Sequence, residues 1–145
     1  ETSPLYRSLV LDEQKAETLS AFADPHRDPH LFTILARGRK AEFMPEIGRR
    51  TREALREAVE KPIAEERLNA IKSHLRYAFA GGLDSADSVA EAVGESIAVT
   101  GRPEAINELY AAYDRLTPAD LQRVAAKYFT ATNETAVTLE TKESQ

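Results

Sequence analysis

LTPADLQRVAAKYFTATNETAVTL, residues Leu116 to Leu139, reads as a capped helix followed by a strand. Thr117 has the side-chain oxygen that caps a helix, and Pro118 suits the first helical position, where a backbone N–H has no partner anyway. Asp120 puts negative charge near the positive helix end. Leu121, Val124, Ala125 and Tyr128 recur at steps of three and four, an apolar stripe of helical period. Thr132-Asn133-Glu134 interrupts the stripe. Thr135 to Leu139, rich in β-branched residues, then reads as a strand. A lone strand is not stable, so the chain upstream has to supply a sheet that receives it.

Upstream, Ser3-Pro4 repeats the same cap logic and opens a helix with Leu5, Tyr6, Leu9 and Val10 inward, ending near Gln14. Ala16 to Ala23 alternates loosely and reads as a strand, and Leu31 to Ala36 as a second. The turn-rich Asp24-Pro25-His26-Arg27-Asp28-Pro29-His30 joins them, a longer connection than most hairpins use. Gly38 to Phe43 is a linker. A helix from about Pro45 to Glu60 follows, stopped by Lys61-Pro62. Ile63 to Phe79 is the next helix, punctuated by Gly81-Gly82. A helix capped by Asp84 or Ser85 stops at Thr100-Gly101, and Pro103 opens a short one with Ile106, Leu109, Tyr110 and Tyr113. Segregated strands and helices predict an α+β fold, with several helices packed on one face of a small antiparallel sheet. Three strands make a thin sheet for so many helices. We therefore expect either a further strand before Glu1 in the intact protein or another domain over the exposed sheet edge.

The bulk numbers agree with one domain. The chain has 145 residues, 42% hydrophobic and 30% charged, enough for a real core. Glu1 stands where a starting Met would, as expected of a mature or trimmed piece, and no basic-then-apolar leader follows it. No run approaches the roughly 18 apolar residues of a membrane span. The absence of Cys excludes disulfides and thiolate metal sites. Residues 1–62 balance 11 Lys+Arg against 11 Asp+Glu, whereas residues 63–145 carry 8 against 13, which argues against a nucleic-acid partner.

Several stretches resemble one family when taken together. The first helix and turn, SPLYRSLVLDEQKAETLSA (Ser3 to Ala21), are similar to the helix that follows a Gly-rich linker in the pitrilysin/insulinase zinc metallopeptidases. Asp28-Pro29-His30-Leu31-Phe32-Thr33-Ile34 resembles a D-P-x-L-F-x-I pattern of that family's hairpin. Ile63 to Leu83 resembles its long helix, and Leu116 to Leu139 its closing helix and strand. The resemblance implies a metallopeptidase half-unit of the pitrilysin/mitochondrial-processing-peptidase type. Residues 1–145 would be the C-terminal portion of a unit of roughly 200 residues, a single partial domain with no internal boundary. Such units assemble in pairs or fours around a chamber, and one of them carries zinc. The family further implies a zinc-bearing domain or partner subunit, a peptide substrate, a possible homodimer, and, for its long bacterial enzymes, the periplasm.

The chemistry of the zinc unit is missing from this chain. That unit needs H-x-x-E-H on a helix, two His facing one metal with a Glu to activate its water. Of the three His, His26 and His30 have the right spacing. Pro29 nevertheless interrupts any helix between them and no Glu intervenes, so a solvated loop is expected, with zinc held in a partner domain and no cofactor here. His74 has no His neighbour in sequence and reads as a surface or partly packed residue. The resemblance also places an Arg and, farther along, a Tyr that grip substrate in active units. Aligned here, those places fall on Val10 and Glu17, and Arg7 lies one helical turn early. The expected role is therefore a non-catalytic unit with no catalytic, cofactor-binding or metal-binding residue. The alternative is an inactive homologue that serves as an assembly subunit without proteolysis.

Three more features are read conservatively. Arg49, Arg52 and Arg56 interleave with Glu46, Glu53, Glu57 and Glu60 at ion-pair spacing, a solvated face and not a phosphate site. Gly81-Gly82 lacks the Lys-Ser/Thr that would make it a phosphate loop. Tyr110, Tyr113 and Tyr128 have core spacing. An unrelated helical interaction module is a third reading, and it predicts no strand pairing at all.

Overall fold

The computed structural model describes residues 3–140. Their order is α1 (Pro4–Tyr6) running into a π-helical turn (Arg7–Asp12), β1 (Ala16–Phe22), β2 (Thr33–Gly38), a 3-10 turn (Ala41–Phe43), α2 (Met44–Glu60), α3 (Glu65–Gly82), α4 (Ala86–Thr100), α5 (Ala105–Arg115), α6 (Pro118–Tyr128) and a last 3-10 turn (Ala131–Asn133). The fold is α+β: mostly helical, with a small two-stranded antiparallel sheet. Its contacts group into two compact units. Among the described residues, one comprises 3–23, 31–61 and 124–140, and the other 24–30 and 62–123.

The first unit is built on a helix, a hairpin and a second helix. The Ser3 hydroxyl accepts from the Tyr6 N–H at 3.1 Å, the cap expected from Ser3-Pro4. The helix then widens, and the Glu13 N–H donates to the Ser8 carbonyl at 2.9 Å, a π-type bond that ends the turn. Gln14 leaves it with φ 52, the left-handed backbone that reverses the chain into β1. β1 and β2 pair from Phe22↔Thr33 to Ala16↔Gly38, with a register shift between Ala16 and Thr18. Glu17 is the extra residue of that bulge, and its carboxylate pairs with Arg37 at 3.0 Å. Leu9, Val10, Ala16 and Ile47 form the buried cluster, flanked by Leu5, Tyr6, Leu19, Ala36, Phe43 and Met44. Leu9 is 0% and Ile47 2% exposed, so the core lies where the first helix, the start of β1 and the start of α2 meet.

The second strand differs from expectation. Pairing runs over Thr33–Gly38 and not over Leu31 to Ala36. Phe22 takes Thr33 as its partner, which leaves Leu31 and Phe32 outside the ladder. Phe32 instead meets Phe129, ring centroids 5.2 Å apart. The expected third strand is also corrected: Thr135 to Leu139 is in no ladder among the described residues. A strand exists only where a second backbone lies beside it, and no such neighbour is described here. Val137 and Leu139 are accordingly 78% and 92% exposed. The β1–β2 pairing itself overturns the purely helical reading.

In the second unit α3 begins at Glu65 and runs through Gly82, so Gly81-Gly82 ends the helix from inside it. Ser85 caps α4 by accepting from the Ser88 N–H at 3.1 Å, and Gly101, with φ 79, closes it in the left-handed conformation. Lys72 donates to the carbonyls of Asp114 (3.0 Å) and Leu116 (2.6 Å), satisfying acceptors at the end of α5 that no helical N–H reaches. Leu68 and Ala105 are buried, and Phe79 stacks on Tyr110 at 4.5 Å, which meets Tyr113 edge-on at 5.7 Å. The core reading therefore holds for Tyr110 and Tyr113, both half-buried, while Tyr128 is 49% exposed. Helical spacing gave all three a core reading, but of them only Tyr110 and Tyr113 have an aromatic neighbour among the described residues.

Candidate functional site

The positions that the resemblance assigned to substrate gripping have other work here. Val10 is buried in the core cluster. Glu17 is the bulge residue of β1, paired with Arg37. Arg7 is exposed. A cation and a phenol are both missing from these places, and Val10 could not become Arg without burying a charge.

What the π turn does present is a charged network. Lys15 Nζ donates to Glu46 Oε1 at 2.7 Å and Oε2 at 2.8 Å, and lies 2.8 Å from Glu13 Oε2. Arg50 donates to Glu13 Oε1 at 2.6 Å and also to the Ser8 hydroxyl, while Ser8 itself donates to Glu13 at 2.8 Å. Lys15 and then Arg50 and Ser8, all hydrogen-bonded to the Glu13 carboxylate, hold its pKa down at about 2. Glu13 and Glu46 in turn push the Lys15 ammonium up. The cluster ties the end of the first helix to α2. Each of these charges is matched, so the arrangement is a structural clasp with no poised acid or base.

This clasp predicts a pH effect. A carboxyl whose folded pKa lies below its ordinary value of 4.5 stabilises the fold fully above that value, and the contribution is lost as pH falls toward 2. Unfolding midpoints measured from pH 7 down to pH 2.5 should therefore drop across that window, and Glu13→Gln should flatten the drop while lowering the midpoint at neutral pH. An equally steep profile in the variant would rule Glu13 out as a source.

Arg49 and Arg52 of α2 are paired, and Arg56 is exposed to solvent. Arg49 meets Glu53 at 2.7 Å, and Arg52 meets Glu134 at 2.7 Å, a partner far away in sequence. The solvated-face reading stands for Arg49, and Arg52 differs only in where its carboxylate comes from. Beside Gly82 lies a shallow groove lined by Ala78, Phe79, Leu83, Glu91 and Glu95 among others. Its carboxylates repel phosphate, in keeping with the helix-end reading of Gly81-Gly82.

The three histidines divide. His74 is exposed on α3. His26 and His30 come together in the connection between the strands, ring centroids 3.9 Å apart, and Asp24 joins them: one ligand atom from each of the three lies within 4.8 Å of the others. From sequence alone, a metal role is set aside here for want of a helical motif and of a third ligand. The signal that would have found the cluster is the repeat Asp24-Pro25-His26 and Asp28-Pro29-His30, with the chain bending at Arg27-Asp28 between its two halves.

No family model matches the chain, and no curated protein matches it either. Among solved structures, the chain is similar to a protease from Helicobacter pylori, with a TM-score of 0.76 and 23% identity over 91% of this chain. That alignment takes in 32% of the protease chain, so this chain spans about a third of its length. At this identity the likeness establishes a shared fold: α+β, as in a segment of that protease.

Proposed function

We propose that this chain is a non-catalytic, chamber-forming portion of a pitrilysin-type zinc metalloendopeptidase, supporting peptide binding while another domain or subunit performs the hydrolysis. The observation that carries this reading is the fold match of nearly the whole chain to one third of a protease. The colinear resemblance of its sequence blocks to that family supports it further. The sequence has no H-x-x-E-H, so the hydrolytic zinc belongs to a companion domain. Val10 and Glu17 at the gripping positions suit a unit that shapes the chamber without holding the scissile bond. β1 and β2 make a sheet of two strands, and a sheet edge can take an extended peptide by strand addition. Pairing with a second copy and a periplasmic setting are parts of the same proposal.

A second reading rests on exposed apolar side chains in the second unit, among them Ile71, Leu75, Ile97 and Leu109. Such residues in number suit a protein interface, so the chain could instead belong to an inactive homologue that works as an assembly subunit.

One experiment separates these readings. The longest gene product containing this chain is assayed for zinc and for cleavage of an unfolded peptide, beside the chain alone. Zinc-dependent cleavage that only the longer product performs is the expected result. Cleavage by neither, with a zinc-free partner co-purifying, favours the assembly subunit. Cleavage by the chain alone overturns the non-catalytic reading.

A further inference from the structure

We propose that the connection between β1 and β2 binds one divalent transition-metal ion of the zinc class through Asp24, His26 and His30. This inference stands apart from the peptidase reading. Two imidazoles and a carboxylate form the donor set such ions prefer. Donor atoms around tetrahedral zinc sit about 3.3 Å apart, given bonds of 2.0–2.1 Å. The three side chains already hold theirs within 4.8 Å of one another, so turns about their own χ angles close the remaining distance. The tilt of 49° between the two rings lets their nitrogens converge on a point without the rings stacking flat.

The backbone favours the same convergence. Pro25 and Pro29 fix their own φ and restrict Asp24 and Asp28 before them. Much of the ordering entropy of the stretch from Asp24 to His30 is therefore spent in folding and not in metal binding. A helix would present His26 and His30 in the manner of H-x-x-E-H. Pro29 forbids that, and the bend at Arg27-Asp28 brings the two rings together by another route. All three ligands are exposed, so an ion can enter freely and water completes its coordination. The ion would tie residue 24 to residue 30 and set the conformation of the loop. Without a carboxylate base among the ligands' intervening residues on a helix, the site has no hydrolytic assignment.

The test uses the chain itself and zinc chloride. Calorimetric titration should give one equivalent per chain. His26→Ala and His30→Ala should each weaken uptake at least about tenfold, the scale at which even outer-shell changes act, and Asp24→Asn should weaken it as well. His74→Ala, which removes the remaining histidine, should leave uptake unchanged. In heteronuclear NMR the imidazole signals of His26 and His30 should move with zinc and that of His74 should not. Circular dichroism checks the fold of each variant, and His26→Gln replaces His26→Ala if the latter unfolds. Failure to bind zinc overturns the proposal, as does uptake that survives the His26/His30 double change or disappears with His74→Ala. Peptide cleavage is not a readout, so failure of the peptidase reading leaves this result intact.

Discussion

Replacing Leu9 by Ala should destabilise the chain by about 3 kcal/mol, within the 2–5 kcal/mol typical of emptied core sites. Leu9 is 0% exposed and lies among Val10, Ala16 and Ile47. The substitution removes three carbons from contact with all of them. Little can collapse into the space, because the cluster is bounded by a turn clasped through Glu13, Lys15 and Arg50 on one side and by the β1–β2 ladder on the other. A net stability of about 5–15 kcal/mol is usual for a domain, so the loss would be a large share of it. Two compact units need not melt together, so the local readout is native-state amide exchange in β1 and β2. Leu11→Ala is the control: Leu11 is 54% exposed on the same turn and should cost less than about 1 kcal/mol. Equal losses for the two would mean that the inward face of the π turn has been misassigned.

Gly38→Val should cost about 1–3 kcal/mol by overpacking. A Cβ at Gly38 would stand 2.7 Å from Met44 Sδ, 3.3 Å from the Lys40 carbonyl oxygen and 3.4 Å from Ile47 Cδ1. The thioether can swing aside, but the carbonyl is backbone and Ile47 is buried. Valine adds two methyl groups where even one carbon is crowded. Gly38 ends β2 opposite Ala16, so the displacement reaches the same core that Leu9 fills. Met44→Ala should recover part of the loss in the Gly38→Ala background, because the nearest collision disappears. A double-mutant cycle measures that recovery, and strict additivity would show that Met44 is not what Gly38 accommodates.

Much of the local structure was legible in the residues. Ser3-Pro4 and Ser85 cap helices as expected. Thr117 does so too: its hydroxyl accepts from the Asp120 N–H at 3.2 Å, and the Asp120 carboxylate accepts from the Thr117 N–H at 3.0 Å. Thr117 and then Arg123 hold the Asp120 carboxyl at about 2, the electrostatic form of the same cap. Such bonds span three residues, so the sequence alone contains both partners. The helix periods in α2 and α6 and the α+β class follow from equally short-range patterns.

Register and convergence were not legible, because they depend on what lies beside a residue and not on what precedes it. The strand at Leu31 to Ala36 slid to Thr33–Gly38 once Phe22 had Thr33 opposite it. Thr135 to Leu139 has strand chemistry, but its ladder depends on a neighbour the residues themselves do not specify. Tyr128 and Val124 share their helical period with the buried Ala125 yet are 49% and 45% exposed. Spacing kept His26 and His30 apart as a failed helical motif, while the loop brings them to 3.9 Å and adds Asp24. By itself the sequence determined the helices, the caps at Ser3, Ser85 and Thr117 and the missing zinc motif, since each rests on contacts within a few residues. The tertiary structure alone decided the strand register, the clasp linking Glu13, Lys15, Glu46 and Arg50, and the Asp24–His26–His30 cluster. In these the partners are chosen by distance in space, which chain order does not encode.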